Sequence, residues 1–243
     1  MSKQQVYDVP TRVFHNLFAV LFIAAFIISK VSDDESSVFA YHMIFGVLLA
    51  TLSFMRILWG FFGTKYARFS TFELNLGELI QYMKDALFGK TKKYIGHNPA
   101  SSYAALAMII FPFLLCFSGY NMVIRNNKHF FGEIHELVGH LFFFIAIAHI
   151  VGIVLHTKKH KELIGLSMLH GQKDSEETAE PVKNFTAIGI VMVLVVGLFG
   201  TYLVSQYSTK DGTLTVFNQK LQVIEMEDEL GPNGAKTEHE DKD

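Results

Sequence analysis

Four histidines stand in strongly apolar sequence: His15, His42, His135 and His149. An ionisable side chain is costly inside a membrane-spanning segment, and where one is kept it usually serves a function. Histidine is the mildest such residue, because its imidazole is largely neutral at pH 7 and the neutral ring is a metal ligand. The stretch HELVGHLFFFIAIAHIVGIVLH, residues 135 to 156, alone holds four histidines. On a helix of about 100° and about 1.5 Å per residue, His149 lies roughly 40° from His135 and roughly 21 Å further along. The two share a face and can address two separate sites. His140 is turned roughly 140° away from His135, and His156 returns to the shared face only roughly 31 Å on, a full membrane thickness.

These side chains need elements to position them. The apolar residues fall in five blocks long enough to cross a bilayer, over residues 13–29, 38–61, 101–123, 134–157 and 185–204. Their continuous apolar character favours helices over barrel strands. Pro10 precedes the first block as a helix-start signal. The N-terminus does not read as a cleavable signal: Lys3, Asp8, Pro10 and Arg12 come first, and no small-residue cleavage site follows. The first span is therefore expected to stay in the mature protein.

Lysine and arginine placement sets the expected orientation. Lys3 and Arg12, then Lys65, Arg68, Lys84, Lys90, Lys92 and Lys93, then Lys158, Lys159 and Lys161 mark three cytoplasmic regions. Asp33, Asp34 and Glu35, and the short loop with Arg125 and Lys128, would face out. An odd number of spans then puts the C-terminal tail on the periplasmic side. That tail carries nine carboxylates against four lysines from Tyr207 to Asp243. It reads as a mostly disordered extension in which TLTVFNQKLQVIEM could form a short strand or helix. Between spans two and three, FELNLGELIQYMKDALF places Leu76, Leu79, Ile80 and Met83 at helical spacing. Such a helix suits the cytoplasmic membrane interface, with a soluble cap helix as the plain alternative.

Depth now pairs the histidines. His15 opens the first span near the cytoplasm and His42 opens the second near the outside. Because spans alternate in direction, His42 matches His135, and His15 matches His149. Two His–His pairs at two depths are what two six-coordinate haems would require. Arg56 follows His42 by fourteen residues, and Arg12 precedes His15 by three. Both are placed to meet haem propionates, although each alone is as well explained as a cytoplasmic helix-end marker. Gly46, Gly139 and Gly152 lie three or four residues after His42, His135 and His149. Glycine there would leave room for a flat macrocycle, but it also serves helix packing.

The stretches TRVFHNLF, HMIFGVLLATLSFMRILWGFFGTKYARF, YIGHNPASSYAALAM and HELVGHLFFFIAIAHIVGIVLH, followed by LSMLHG, occur in that order. Over roughly residues 7 to 171 they resemble the prokaryotic cytochrome b561 superfamily, and within it the b-type cytochrome subunits of membrane-bound nickel–iron hydrogenases. The resemblance implies an all-α integral membrane protein: a four-helix transmembrane di-haem bundle, here with a fifth C-terminal transmembrane helix. It implies two haem b groups, with His15, His42, His135 and His149 as iron ligands, in a bacterial cytoplasmic (inner) membrane. It also implies electron transfer between a membrane quinone and a periplasmic redox partner of the hydrogenase or c-type cytochrome class. The resulting division is a di-haem domain over 7–171, a cytoplasmic linker over 172–184, the fifth helix over 185–204 and the acidic periplasmic tail over 205–243. Two departures are evident. Asn16 follows His15 where the family commonly has tryptophan, and the fifth span and tail lie outside the four-helix core. In YIGHNP, Tyr94, His97 and Asn98 could shape a quinone pocket, yet Asn98-Pro99 is also a good turn and helix-start pair, the reading preferred here.

The net charge of −2 gives nucleic-acid binding no electrostatic support. The single Cys116 excludes an intramolecular disulfide and a CxxCH attachment, so any haem is held without a thioether link. With no soluble catalytic domain beside the spans, a subunit of an oxidoreductase complex is expected rather than a complete enzyme. The alternatives are a stand-alone quinol oxidase, a transporter whose histidines relay protons or bind a metal ion, and an assembly or anchor protein working through its tail.

Overall fold

The computed structural model describes residues 2–33, 35–90, 94–124, 126–175, 180, 182–216 and 218–224. Asp34, Lys92, Lys93 and Arg125, used above for orientation, and the tail from 225 to 243 lie outside them. Five long apolar helices dominate: α1 (Val9–Val31), α2 (Phe39–Phe62), α4 (Pro99–Val123), α5 (Lys128–His160) and α7 (Thr186–Ser205). The short helices are α3 (Leu76–Leu87) and α6 (Ser167–His170). The chain is an all-α membrane protein, as its hydropathy requires. Compared with the apolar blocks, α1 starts four residues earlier and α5 six earlier, because polar residues cap them. The Asp8 carboxylate accepts from Thr11 N at 2.8 Å and Pro10 sits in the first turn of α1. Asn127, in the left-handed region at φ 51°, caps α5.

Neighbouring helices pack as α1 on α2, α2 on α4 and α4 on α5, with α7 lying against α1 and α2. Gly189 lets α7 approach α1 closely, since a Cβ there would stand 2.6 Å from Val9 Cγ1. Helix α5 meets α1 through aromatic rings. Phe142, 1 % exposed, has its ring centroid 4.5 Å from Phe22, 6.0 Å from Phe18 and 5.9 Å from Phe111 of α4. Val20, Ile23 and Ile27 of α1 and Ile190, Val193, Leu194 and Leu198 of α7 are exposed to the surrounding lipid.

Small strands close the two ends of the bundle. At one end β1 (Ser2–Gln5) pairs antiparallel with β2 (Gln172–Ser175), Ser2 opposite Ser175 and Gln5 opposite Gln172. The segment from 172 is thus not a plain linker: its first four residues belong to a sheet. At the other end β3 (Tyr207–Ser208), β4 (Thr213–Val216) and β5 (Gln219–Gln222) form an antiparallel sheet in that order. It buries Leu214 and is tied to the bundle by Tyr207, whose hydroxyl donates to Ser37 O at 3.2 Å. Within the tail stretch TLTVFNQKLQVIEM, the described residues form strands at Thr213–Val216 and Gln219–Gln222. The apolar face of α3 is uncovered by protein: Leu76 is 62 % exposed, Ile80 and Met83 50 %.

Candidate functional site

Two clusters of polar side chains lie inside the bundle, one toward each end. In the first, His42 from the start of α2 faces His135 of α5, with ring centroids 6.0 Å apart and planes at 65°. His42 Nδ1 lies 2.9 Å from Ala25 O of α1. A carbonyl oxygen only accepts, so this nitrogen carries the proton. His135 Nδ1 lies 3.0 Å from Ser118 Oγ of α4. The Ser118 hydroxyl already donates to Leu114 O at 2.9 Å, so its oxygen is left to accept from the histidine. Both rings are fixed in the tautomer that leaves Nε2 unprotonated with its lone pair free, the arrangement that hydrogen-bond partners of metal-binding histidines impose.

That geometry fits a haem iron. Two imidazoles bound on opposite sides of one metal ion at about 2.0–2.1 Å, as for zinc, would have ring centres about 6 Å apart. Open space lies beside the rings as well: a Cβ added at Gly46 or Gly139 would meet nothing within 4 Å. His140, by contrast, is exposed, on the side of α5 away from this cluster.

The second cluster occupies the end closed by β1 and β2. His15 of α1 and His149 of α5 lie within electrostatic range of each other. His15 Nδ1 is buried and has no hydrogen-bond partner among the described residues, unlike the corresponding atoms of the first pair. Arg56 of α2 is 3 % exposed. Its Nη2 donates to Ala67 O at 2.9 Å, its guanidinium lies 5.3 Å from the Phe69 ring centre, and its Nη1 is buried without a partner. Arg12 is placed differently. Its Nη1 donates to Leu169 O at 2.6 Å, in a groove that α1 forms with α6 and α7. Asn16 supports that contact, donating through Nδ2 to Met168 O at 2.9 Å. An asparagine at this position thus fastens α1 to the carbonyls of α6, which a tryptophan could not do with the same group.

The YIGHNP stretch divides its labour. Asn98 Oδ1 accepts from Ser101 N at 2.8 Å and caps α4, the role its sequence suggested. Tyr94 is partly exposed and sits edge-on to Tyr82 of α3. His97 turns inward, 4.6 Å from Phe72 and 6.4 Å from Tyr7 between ring centres. Its Nδ1 is buried and unpartnered among the described residues. Burial, and then the charges of Lys173 and Arg56, hold its imidazole well below the usual range, at about 3.

His156 lies at the far end of α5, 4.5 Å from the ring of His160 and 3.9 Å from the Glu162 carboxylate. Asp8, Lys173 and Ser118 were missed by sequence reasoning. Asp8 carried a signal, a carboxylate directly before Val9-Pro10, which reads as a helix cap. No local pattern marks Ser118 or Lys173.

No curated protein and no solved structure matches the chain. Residues 6–171 match the family model described as prokaryotic cytochrome b561, a span that contains both histidine pairs and the three helices, α1, α2 and α5, that carry them. The chain belongs to the prokaryotic cytochrome b561 family, and is a haem-b-binding membrane cytochrome of electron transfer.

Proposed function

We propose that this chain is a di-haem subunit that moves electrons between a membrane quinone and a periplasmic redox partner, of the hydrogenase or c-type cytochrome class. His42 and His135 hold the outer haem; His15 and His149 hold the inner one. Arg56 serves the inner propionates, whereas Arg12 is spent on Leu169 O. The observation that carries the reading is the His42–His135 pair, with its 6.0 Å ring separation and both Nδ1 atoms engaged. Bound haem supplies the one-electron chemistry, and the chain supplies ligands, orientation and a low-dielectric surround.

The N-terminus lies in the cytoplasm and β3–β5 in the periplasm. Pairing of β1 with β2 supports this, because it brings the segment after the fourth span to the side of the N-terminus, as four crossings require. Lys65, Arg68, Lys158 and Lys159 flank the same end. The uncovered apolar face of α3 rests in the inner interface.

A dithionite-reduced minus oxidised spectrum, with haem counted per chain, tests the reading. Two b-type haems are expected. His42→Leu and His135→Leu should each remove the same haem, and His140→Ala should keep both. A protein that binds no haem, or a His140→Ala variant that loses one while His149→Ala keeps two, would refute it.

A further inference from the structure

The buried polar groups at the inner end do not balance in charge. Among the described residues two cations are buried there, Arg56 at 3 % and Lys173 at 6 % exposure, against one buried carboxylate, Asp8 at 0 %. Asp8 is already engaged: besides Thr11 N, its oxygens accept from Trp59 Nε1 at 3.0 Å and Thr64 Oγ1 at 2.6 Å. It lies within electrostatic range of Arg56 without touching it; among the described residues no ion pair includes Arg56. Lys173 spends its ammonium on Ile95 O at 3.0 Å and Gly96 O at 3.1 Å, beside the Tyr7 ring. Among the buried described residues one positive charge is left over in a low-dielectric setting, where an unpaired charge is costly.

His97 completes the cluster. It follows the two carbonyls that Lys173 holds, and lies within electrostatic range of Lys173, Arg56 and His149. Two buried nitrogens, Arg56 Nη1 and His97 Nδ1, have no acceptor among the described residues. A surplus positive charge and two buried nitrogens without partners among the described residues, all beside one candidate iron ligand, describe a seat for a carboxylate.

We infer that His97 is a haem-binding residue: with Arg56 it holds one propionate of the inner haem, through the orphaned Nδ1 and Nη1. The inference rests on the reading that His15 and His149 hold that haem. Arg56 supplies the charge and one donor. His97 supplies a second donor without a charge. Its ring is fixed between Phe72 and Tyr7, and the Lys173 ammonium anchors the preceding backbone. This gives the loop before α4 a task separate from the capping done by Asn98.

Redox titration of the full-length protein in detergent tests this, with His97→Leu and His97→Gln as variants. Removing a donor leaves more negative charge on the propionate and favours the oxidised haem. His97→Leu should therefore lower the inner haem's reduced-to-oxidised ratio about tenfold at fixed ambient potential, equivalent to about 59 mV. The outer haem should not shift. His97→Gln, which keeps an N–H donor, should recover most of the change, and resonance Raman propionate modes should move in the leucine variant only. Equal behaviour of the two variants, or equal shifts of both haems, would overturn the inference and leave the di-haem reading standing. So would unchanged potentials together with slower haem oxidation by added quinone, which would make His97 a quinone ligand. A wild-type protein without haem would overturn both.

Discussion

Ser118→Ala removes the oxygen that receives His135 Nδ1–H and changes no residue of either histidine pair. A buried donor left without an acceptor costs about 1–3 kcal/mol. Leu115 O is also within reach of His135 and would recover part of that loss, leaving about 1.4 kcal/mol. The outcome is about tenfold weaker retention of the outer haem, within the 10–100-fold range usual when the hydrogen-bond partner of a metal ligand is lost. An imidazole whose Nδ1–H has no acceptor is also a weaker electron donor to iron, so the outer haem should become easier to reduce. Haem loss to excess apomyoglobin, followed by absorbance, would give the retention. A redox titration would give the direction of the potential. Thr201→Ala is the control, because it deletes an exposed hydroxyl bonded to Gly197 O on α7, remote from both pairs. If Ser118→Ala kept both haems as firmly as the control, with both potentials unmoved, Ser118 would not orient His135 and the tautomer argument for the outer pair would fail.

Asp8→Asn should destabilise the protein by about 3 kcal/mol, since hydrogen bonds to a charged acceptor contribute about 1.5–3 kcal/mol each and asparagine retains one cap; thermal unfolding in detergent reads it. Phe142→Ala should cost about 3–5 kcal/mol through the cavity left among Phe18, Phe22 and Phe111, with haem stoichiometry retained at low temperature. In the haem-free chain, where no propionate faces it, acid sensitivity should follow His97. Its folded pKa of about 3 lies below the ordinary 6.5, so the unfolded chain takes up a proton that the folded one refuses. Stability is full above about pH 6.5 and falls as pH drops toward 3, by about 2 kcal/mol at pH 5. Denaturation of His97→Gln at pH 7.5 and pH 5 should lack that difference.

The spans were legible because lipid demands long apolar helices, and little else in a sequence produces five such blocks. The meeting of His42 with His135 was legible for a related reason: alternation of direction fixes depth, and helical pitch fixes face. What completes the site was not. Ala25 O and Ser118 Oγ reach the histidines from other helices, and helical periodicity says nothing of cross-helix partners. His97 lies outside any helix, where no period constrains its direction, and the capping pattern around Asn98 draws attention from it. Arg12 shows the limit of face arguments. It shares a face with His15 by spacing, yet its long side chain hooks onto Leu169 O. The pairing of β1 with β2 was illegible because SKQQ and QKDS are short, polar and 170 residues apart.

That last pairing also orders the protein's assembly in time. The N-terminal strand emerges first from the ribosome, but its partner is made only after the fourth span is complete. Until then Val6 and Tyr7, which donate to Gly171 O at 2.9 and 3.0 Å, have no acceptor there to close upon. In the orientation proposed above, the inner end of the bundle, with His15, Arg56 and His97, therefore stays open to the cytoplasm throughout insertion of the first four spans. It can be sealed only once residue 172 has cleared the ribosome, which gives a cofactor arriving from that side a defined interval in which to enter.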